Sequence, residues 1–173
     1  MLFSPPQISI VNRSFGNAEE MVRKYFGLSE ADLKEGRYDF RTLAELKEHE
    51  VKRDAFAHLC RYYCRKGDEG ENAPGYYLYR ICLQDDRILD AVNRGVNFIK
   101  LFPLLLYIAT HELVHVVRFT RGESDFDAHP GEKQEEERRV HNITRNVLRS
   151  NKSGDLELVL DCFSHSYHIG DFN

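Results

Sequence analysis

The sequence predicts an α+β fold, mostly helical, with a small β-sheet ahead of a long apolar helix. Three observations carry that prediction. Helical spacing of apolar residues recurs on both sides of the chain's middle. Between them, Tyr76-Tyr77-Leu78-Tyr79-Arg80-Ile81-Cys82-Leu83 is aromatic and β-branched enough for a strand. Further on, Leu104-Leu105-Leu106-Tyr107-Ile108-Ala109 is almost wholly apolar, and Pro103 before it suits the first turn of a helix.

Taken in order, Asn17-Ala18-Glu19-Glu20 reads as a helix N-cap with its capping partner, and Gly27 as the stop. Thr42-Leu43-Ala44-Glu45 opens a second, longer helix. Its apolar positions Leu46, Val51, Ala55, Phe56, Leu59 and Tyr63 roughly follow helical spacing to about Arg65. Lys66 to Gly75 is charged and carries Gly and Pro, as a loop does. After the strand at 76–83, Asp85-Asp86 is expected to turn the chain into a second strand, Arg87 to Val92. The apolar helix then runs from Pro103 to about Phe119. Glu132 to Arg149 is helical, with Val140, Ile143, Val147 and Leu148 on one face. Asp155 caps a last helix striped by Leu156, Val159, Leu160 and Phe163. Residues 1–66 are thus expected as an N-terminal helical segment packed on a domain of residues 67–173.

The chain's 173 residues suffice to bury a sizeable core without a disulfide or metal. Hydrophobic residues make up 42% and charged residues 30%, which excludes a disordered chain. The net charge of -4 disfavours nucleic acid as a partner. No apolar run approaches the roughly 18 residues that a membrane span needs, so no membrane partner is expected. Met1-Leu2-Phe3-Ser4-Pro5-Pro6 has neither a basic nor an apolar signal region, so a cytoplasmic setting with reduced thiols is expected.

His111-Glu112-Leu113-Val114-His115 carries the chemistry. On a helix, residues four apart lie one turn above each other, so both imidazoles can reach one Zn²⁺ ion. Glu112 lies roughly 100° around the helix, placed to act on a water without ligating the metal. Burying this triplet in so apolar a helix is costly unless the groups are paired or metal-bound. A catalytic zinc needs a third protein ligand. A downstream glycine and histidine would be one solution, but Arg118 and Arg121 occupy those positions. A glutamate from a following helix is the other. Glu136 and Glu137 both fall within about 60° of the buried face centred on Val140, while Glu135 points away. Periodicity therefore leaves Glu136 and Glu137 as alternatives.

His141 lies four residues after Glu137 on the same side of its helix, so it reaches the site as a catalytic donor, an alternative ligand or a supporting group. Tyr107, the loop residue His129, and His165 or His168 are further candidates for a transition-state donor. Cys162-Phe163-Ser164-His165-Ser166-Tyr167-His168 has a ligand-like spacing, and with His58, Cys60 and Cys64 it suggests a second, structural metal site. The helical spacing of Cys60 and Cys64 argues instead for buried apolar thiols.

The motif, followed by Glu137-Arg138-Arg139-Val140-His141-Asn142-Ile143-Thr144-Arg145-Asn146-Val147-Leu148, resembles the gluzincin group of zincin metallopeptidases. It is most similar to the ImmA/IrrE type, over roughly residues 76 to 148. Val114 stands where that type usually has Gly, and His141 where it usually has Asn. The resemblance implies a zincin-like domain over residues 67–173 and Glu137 as third ligand beside His111 and His115. It implies a zinc-dependent metallopeptidase in which Glu112 is the base and a specific protein or peptide is the substrate. An extended substrate is expected to add as a strand near Tyr76 to Leu83 or Arg87 to Val92. The alternative is a catalytically silent zincin fold that binds metal and works through protein partners.

Overall fold

The computed structural model describes residues 1–34, 38–65, 74–94, 99–151 and 153–163. The expected class holds: among the described residues, six helices accompany a three-stranded sheet that precedes the long apolar helix. The end of the expected Cys/His cluster, with His165 and His168, and residues 66–73 of the charged loop lie outside the described residues.

The first helix, α1 (Pro5–Phe26), begins well before Asn17. Its start signal is Ser4-Pro5-Pro6-Gln7. Pro5 occupies the first helical position, and the Ser4 N–H donates to Gln7 Oε1 at 2.8 Å. Asn17 therefore sits mid-helix. Gly27 ends α1 as expected, at φ 67, where a side chain would be strained. Val11, Phe15, Ala18 and Val22 are its buried stripe, and it packs along the apolar helix. A short helix, α2 (Glu30–Lys34), follows.

The long helix expected from Thr42 to Arg65 does not form. That stretch opens after strand β1 (Tyr38–Arg41), passes through two single 3-10 turns at Leu43–Glu45 and Glu48–Glu50, and ends in strand β2 (Ala57–Cys64). Ala57-His58-Leu59-Cys60-Arg61-Tyr62-Tyr63-Cys64 is too rich in aromatic residues to prefer a helix, and all eight positions pair with β3 (Tyr76–Leu83). Pairing with a neighbouring strand outweighs a loose helical spacing. The strand expected at 87–92 is instead helix α3 (Asp85–Asn93). Asp85 and Asp86 are its acidic first turn rather than a hairpin turn. The Asp85 carboxylate accepts the Phe3 N–H at 3.1 Å and the Leu43 N–H at 2.8 Å, which ties three segments together.

The strand order is β1-β3-β2, with β1 parallel and β2 antiparallel to β3. Two of the three strands thus come from the segment expected as a helical appendage. Residues before 66 and after 67 share one sheet, so no structural boundary separates them there.

Helix α4 (Leu101–Thr120) is buried from Pro103 to Arg118. It meets the length and apolarity of a membrane span, yet 89% of that window is buried inside the protein. α1, β2, α5 (Pro130–Leu148) and α6 (Gly154–Cys162) pack around it. Ile81 and Leu83 of β3 join Leu104, Leu105, Ile108 and Val140 in one core.

Candidate metal centre

Two neighbouring helices build the site. α4 is apolar all round because it fills the middle of the molecule, so His111 and His115 are carried inside with it. α5 starts at Pro130 and buries Glu136, Val140, His141, Thr144, Val147 and Leu148. That face turns its second turn toward α4.

The two candidate glutamates then separate. Glu137 places Oε2 3.1 Å from His111 Nε2 and Oε1 3.0 Å from His115 Nε2. One donor atom from each of the three residues lies within 4.8 Å of the others, so the group can hold a metal ion. Four-coordinate zinc with its usual bond lengths sets N···O ligand edges of about 3.4 Å, so the observed spacings fall within a few tenths of an ångström of that geometry. Burial pushes the Glu137 carboxyl up, but the two imidazoles reverse this and hold it far below the usual range. Burial works against protonation of His115, and Glu137 more than offsets it, so its pKa is raised.

Glu136 goes elsewhere. Its carboxylate receives Arg118 Nε at 2.5 Å and Nη2 at 3.2 Å, and Arg139 Nη1 at 3.1 Å. Arg118 also reaches Glu123 at 2.9 Å. This buried bridge fixes α5 against α4 at the height of the site. The sequence reading tested position 118 only for a glycine and missed the arginine's part. Its signal was a charged residue one turn beyond His115 on a helix with no exposed face. Glu135 is exposed and pairs with Arg138, as its outward position predicts.

Apolar packing holds the His115 ring. It stacks on Phe119 at 5.7 Å and meets His111 edge-on at 4.9 Å. His115 Nδ1 is buried with no hydrogen-bond partner among the described residues. The ring therefore offers Nε2 to the site without the supporting acceptor that usually stands behind a metal-bound histidine.

A cavity of about 740 Å³ opens over the triad. His111, Glu112, His115 and Glu137 form its floor, Leu59 of β2 and Phe119 form walls, and Lys52 and Lys133 also line it. Glu112 is buried, and desolvation pushes its carboxyl up to about 7. A carboxyl with that pKa exchanges a proton readily near neutrality.

The remaining sequence candidates fall in different places. His141 does not line the cavity; it lies beside the triad with its Nδ1 2.7 Å from the Tyr107 hydroxyl. Burial, then His111 and Arg145, lower its pKa to about 4, so the ring is neutral at pH 7. The Tyr107 phenol, whose pKa burial raises strongly, keeps its proton and shares this hydrogen bond with Nδ1. Tyr107 is itself buried and stacked on Phe163 at 4.3 Å, away from the cavity wall. His129 is the exposed N-cap residue of α5 and lines no part of the cavity.

The strand bordering the cavity is also not the one expected. β3 is the central strand, and residues 87–92 are helical. β2 is an edge of the sheet, and its Ala57, His58 and Leu59 line the cavity.

No protein-family model, curated protein or solved structure matches the chain.

Proposed function

We propose that this protein is a zinc-dependent metallopeptidase acting on a specific protein or peptide. One observation carries the reading. The Glu137 carboxylate is held 3.0–3.1 Å from Nε2 of both His111 and His115, at the floor of a cavity that also contains the buried acid Glu112.

Zinc bound by His111 Nε2, His115 Nε2 and Glu137 would supply Lewis acidity toward a water and a peptide carbonyl. The donor set fits that ion: two imidazoles, one carboxylate, and a cavity on the open side. Glu112 accepts a proton from water at its carboxylate and returns it to the leaving amine. Burial raises its pKa above the usual carboxylate range, which makes it a stronger base toward water. Arg118 and Glu136 hold the two ligand-bearing helices in register. Burial and the neighbouring His111 and Arg145 keep His141 neutral, and the hydroxyl of Tyr107 holds it in place, so no second cation competes for the site. β2 is an edge strand among the described residues, and its outer edge would give an extended peptide main-chain partners along the cavity wall. The likeness of 111–115 and 137–148 to gluzincins of the ImmA/IrrE type supports the same reading.

The test pairs metal content with capture. Purified protein should carry zinc at the triad, and His111→Ala should remove that one ion per chain. A Glu112→Gln variant should trap a substrate that the wild type cleaves. Zinc uptake that is the same in the wild type and in His111→Ala overturns the proposal. A trapped partner that fully zinc-loaded wild type never cleaves turns it into a binding module.

A further inference from the structure

The sheet carries a second group of metal-ligating side chains, distinct from the His111, His115 and Glu137 triad. In the antiparallel register His58 of β2 stands opposite Cys82 of β3, and Cys60 follows two residues along β2 on the same face. One donor atom each from His58, Cys60 and Cys82 lies within 4.8 Å of the others. Cys82 is fully buried, and the other two are half-buried.

The histidine is oriented for ligation. Its Nε2 lies 2.7 Å from the Glu50 carbonyl oxygen. A carbonyl only accepts, so Nε2 carries the proton and Nδ1 keeps its lone pair. Nδ1 is the nitrogen that faces Cys60, 3.9 Å from its Sγ. A metal-bound imidazole shows this same division, with one nitrogen on the ion and the other donating to a backbone carbonyl. Tetrahedral zinc sets S···N edges of about 3.6 Å and S···S edges of about 3.8 Å, so the three donors need to draw in by no more than about 1 Å. Two thiolates and a divalent ion sum to zero charge, which suits a half-buried position. Cys64, four residues along an extended strand, is about 13 Å from Cys60 and too far to share an ion.

We propose that His58, Cys60 and Cys82 form a second metal site, for a borderline-soft divalent ion of the zinc class, with a fourth position left to water. The donor set is chemically unlike the first. Thiolates favour such ions, and they mark them spectroscopically.

Cobalt(II) is the probe, added to the metal-depleted full chain under reducing conditions. The wild type should bind about two ions and show a near-ultraviolet thiolate-to-cobalt charge-transfer band, which imidazole and carboxylate ligands cannot produce. His111→Ala should keep that band. Cys60→Ser should lose most of it and about half of the bound cobalt, while Cys64→Ser should leave both unchanged. Zinc X-ray absorption on the wild type, loaded with two ions, should show on average about one sulfur per zinc and does not depend on any variant folding. No charge-transfer band and no sulfur ligand, or a band that Cys64→Ser removes and Cys60→Ser does not, overturns the proposal. The two metal readings fail separately, because only this one needs sulfur and only the first needs His111.

Discussion

Glu136 and Glu137 are adjacent in sequence and should answer to different assays. Glu136→Gln removes the charge opposite Arg118, whose side chain is only 9% exposed. Taking one partner from a buried ion pair costs about 3–5 kcal/mol. Arg118 retains Glu123 at 2.9 Å, and the glutamine oxygen still accepts one N–H, so the low end applies, about 3 kcal/mol. For a chain of this size each kcal/mol moves Tm by about 2–4 °C, so a fall of about 6–12 °C is expected. The proposed zinc ligands are untouched, and zinc affinity should change little. Glu137→Gln should do the reverse: a large loss of zinc affinity, with metal-free stability altered much less, because its carboxylate is partly open to the cavity. Thermal unfolding by circular dichroism in chelator gives the first quantity, and competition with a chromogenic chelator gives the second. If Glu136→Gln loses zinc as severely as Glu137→Gln and keeps its Tm, the division of labour between the two carboxylates is wrong.

Glu112→Gln should keep zinc and fold while lowering peptide hydrolysis by about 10²–10⁴-fold, measured on a captured substrate. Tyr107→Phe removes the hydroxyl that is hydrogen-bonded to His141 Nδ1 in a buried place, so chemical denaturation should show a loss of about 1–3 kcal/mol with zinc still bound. Burial raises the Asp85 pKa above that of an ordinary carboxyl, despite the N–H groups of Leu43 and Phe3. The stabilising contribution of its protonated form is therefore full below the ordinary value near 4 and is lost as pH rises through the raised one. The stability difference between wild type and Asp85→Asn, followed by denaturation from pH 4 to 7, should shift against the wild type as pH rises; a difference that is flat in pH refutes the burial argument.

What the sequence made legible follows from how redundantly each element is written. α4 has an unbroken apolar run, a proline in its first turn and a motif that makes sense only on a helix. β3 has eight residues of strand-forming type and a central place in the sheet. β2 was lost because Leu46, Val51, Phe56, Leu59 and Tyr63 mimic a helical stripe, and the alternation that contradicts it begins only at Ala57. Its strand identity comes from pairing with β3, which no local signal encodes. The start of α1 was missed for a different reason. Ser4-Pro5-Pro6 opens it, but Ser9, Asn12 and Ser14 dilute the apolar stripe, and Ser14 is buried only because its hydroxyl is returned to the Ile10 carbonyl at 2.8 Å. At the site, the spacing of His111 and His115 was decisive because a helix leaves it no freedom. Glu136 and Glu137 both lie within about 60° of the centre of the buried face, so periodicity could not choose. The choice depends on Arg118, a residue on another helix.

The same strand joins the two candidate centres. Ala57, His58 and Leu59 line the cavity over the triad, while His58 and Cys60 supply two donors of the second cluster. A strand at a sheet edge has one row of main-chain groups without partners and is more easily displaced than a central one. For a peptide to add along it, that strand has to be held straight, and ordering it at the moment of binding would cost affinity. A thiolate-bound ion would fasten β2 to β3 at the end nearest the cavity. The Glu50 carbonyl accepts from both His58 and the Gln84 side chain, which in turn accepts the Lys52 N–H. The fastening would thus extend to the segment that carries Lys52 to the cavity wall. The first centre would supply the chemistry, and the second would keep the substrate-facing edge in the shape that the chemistry requires.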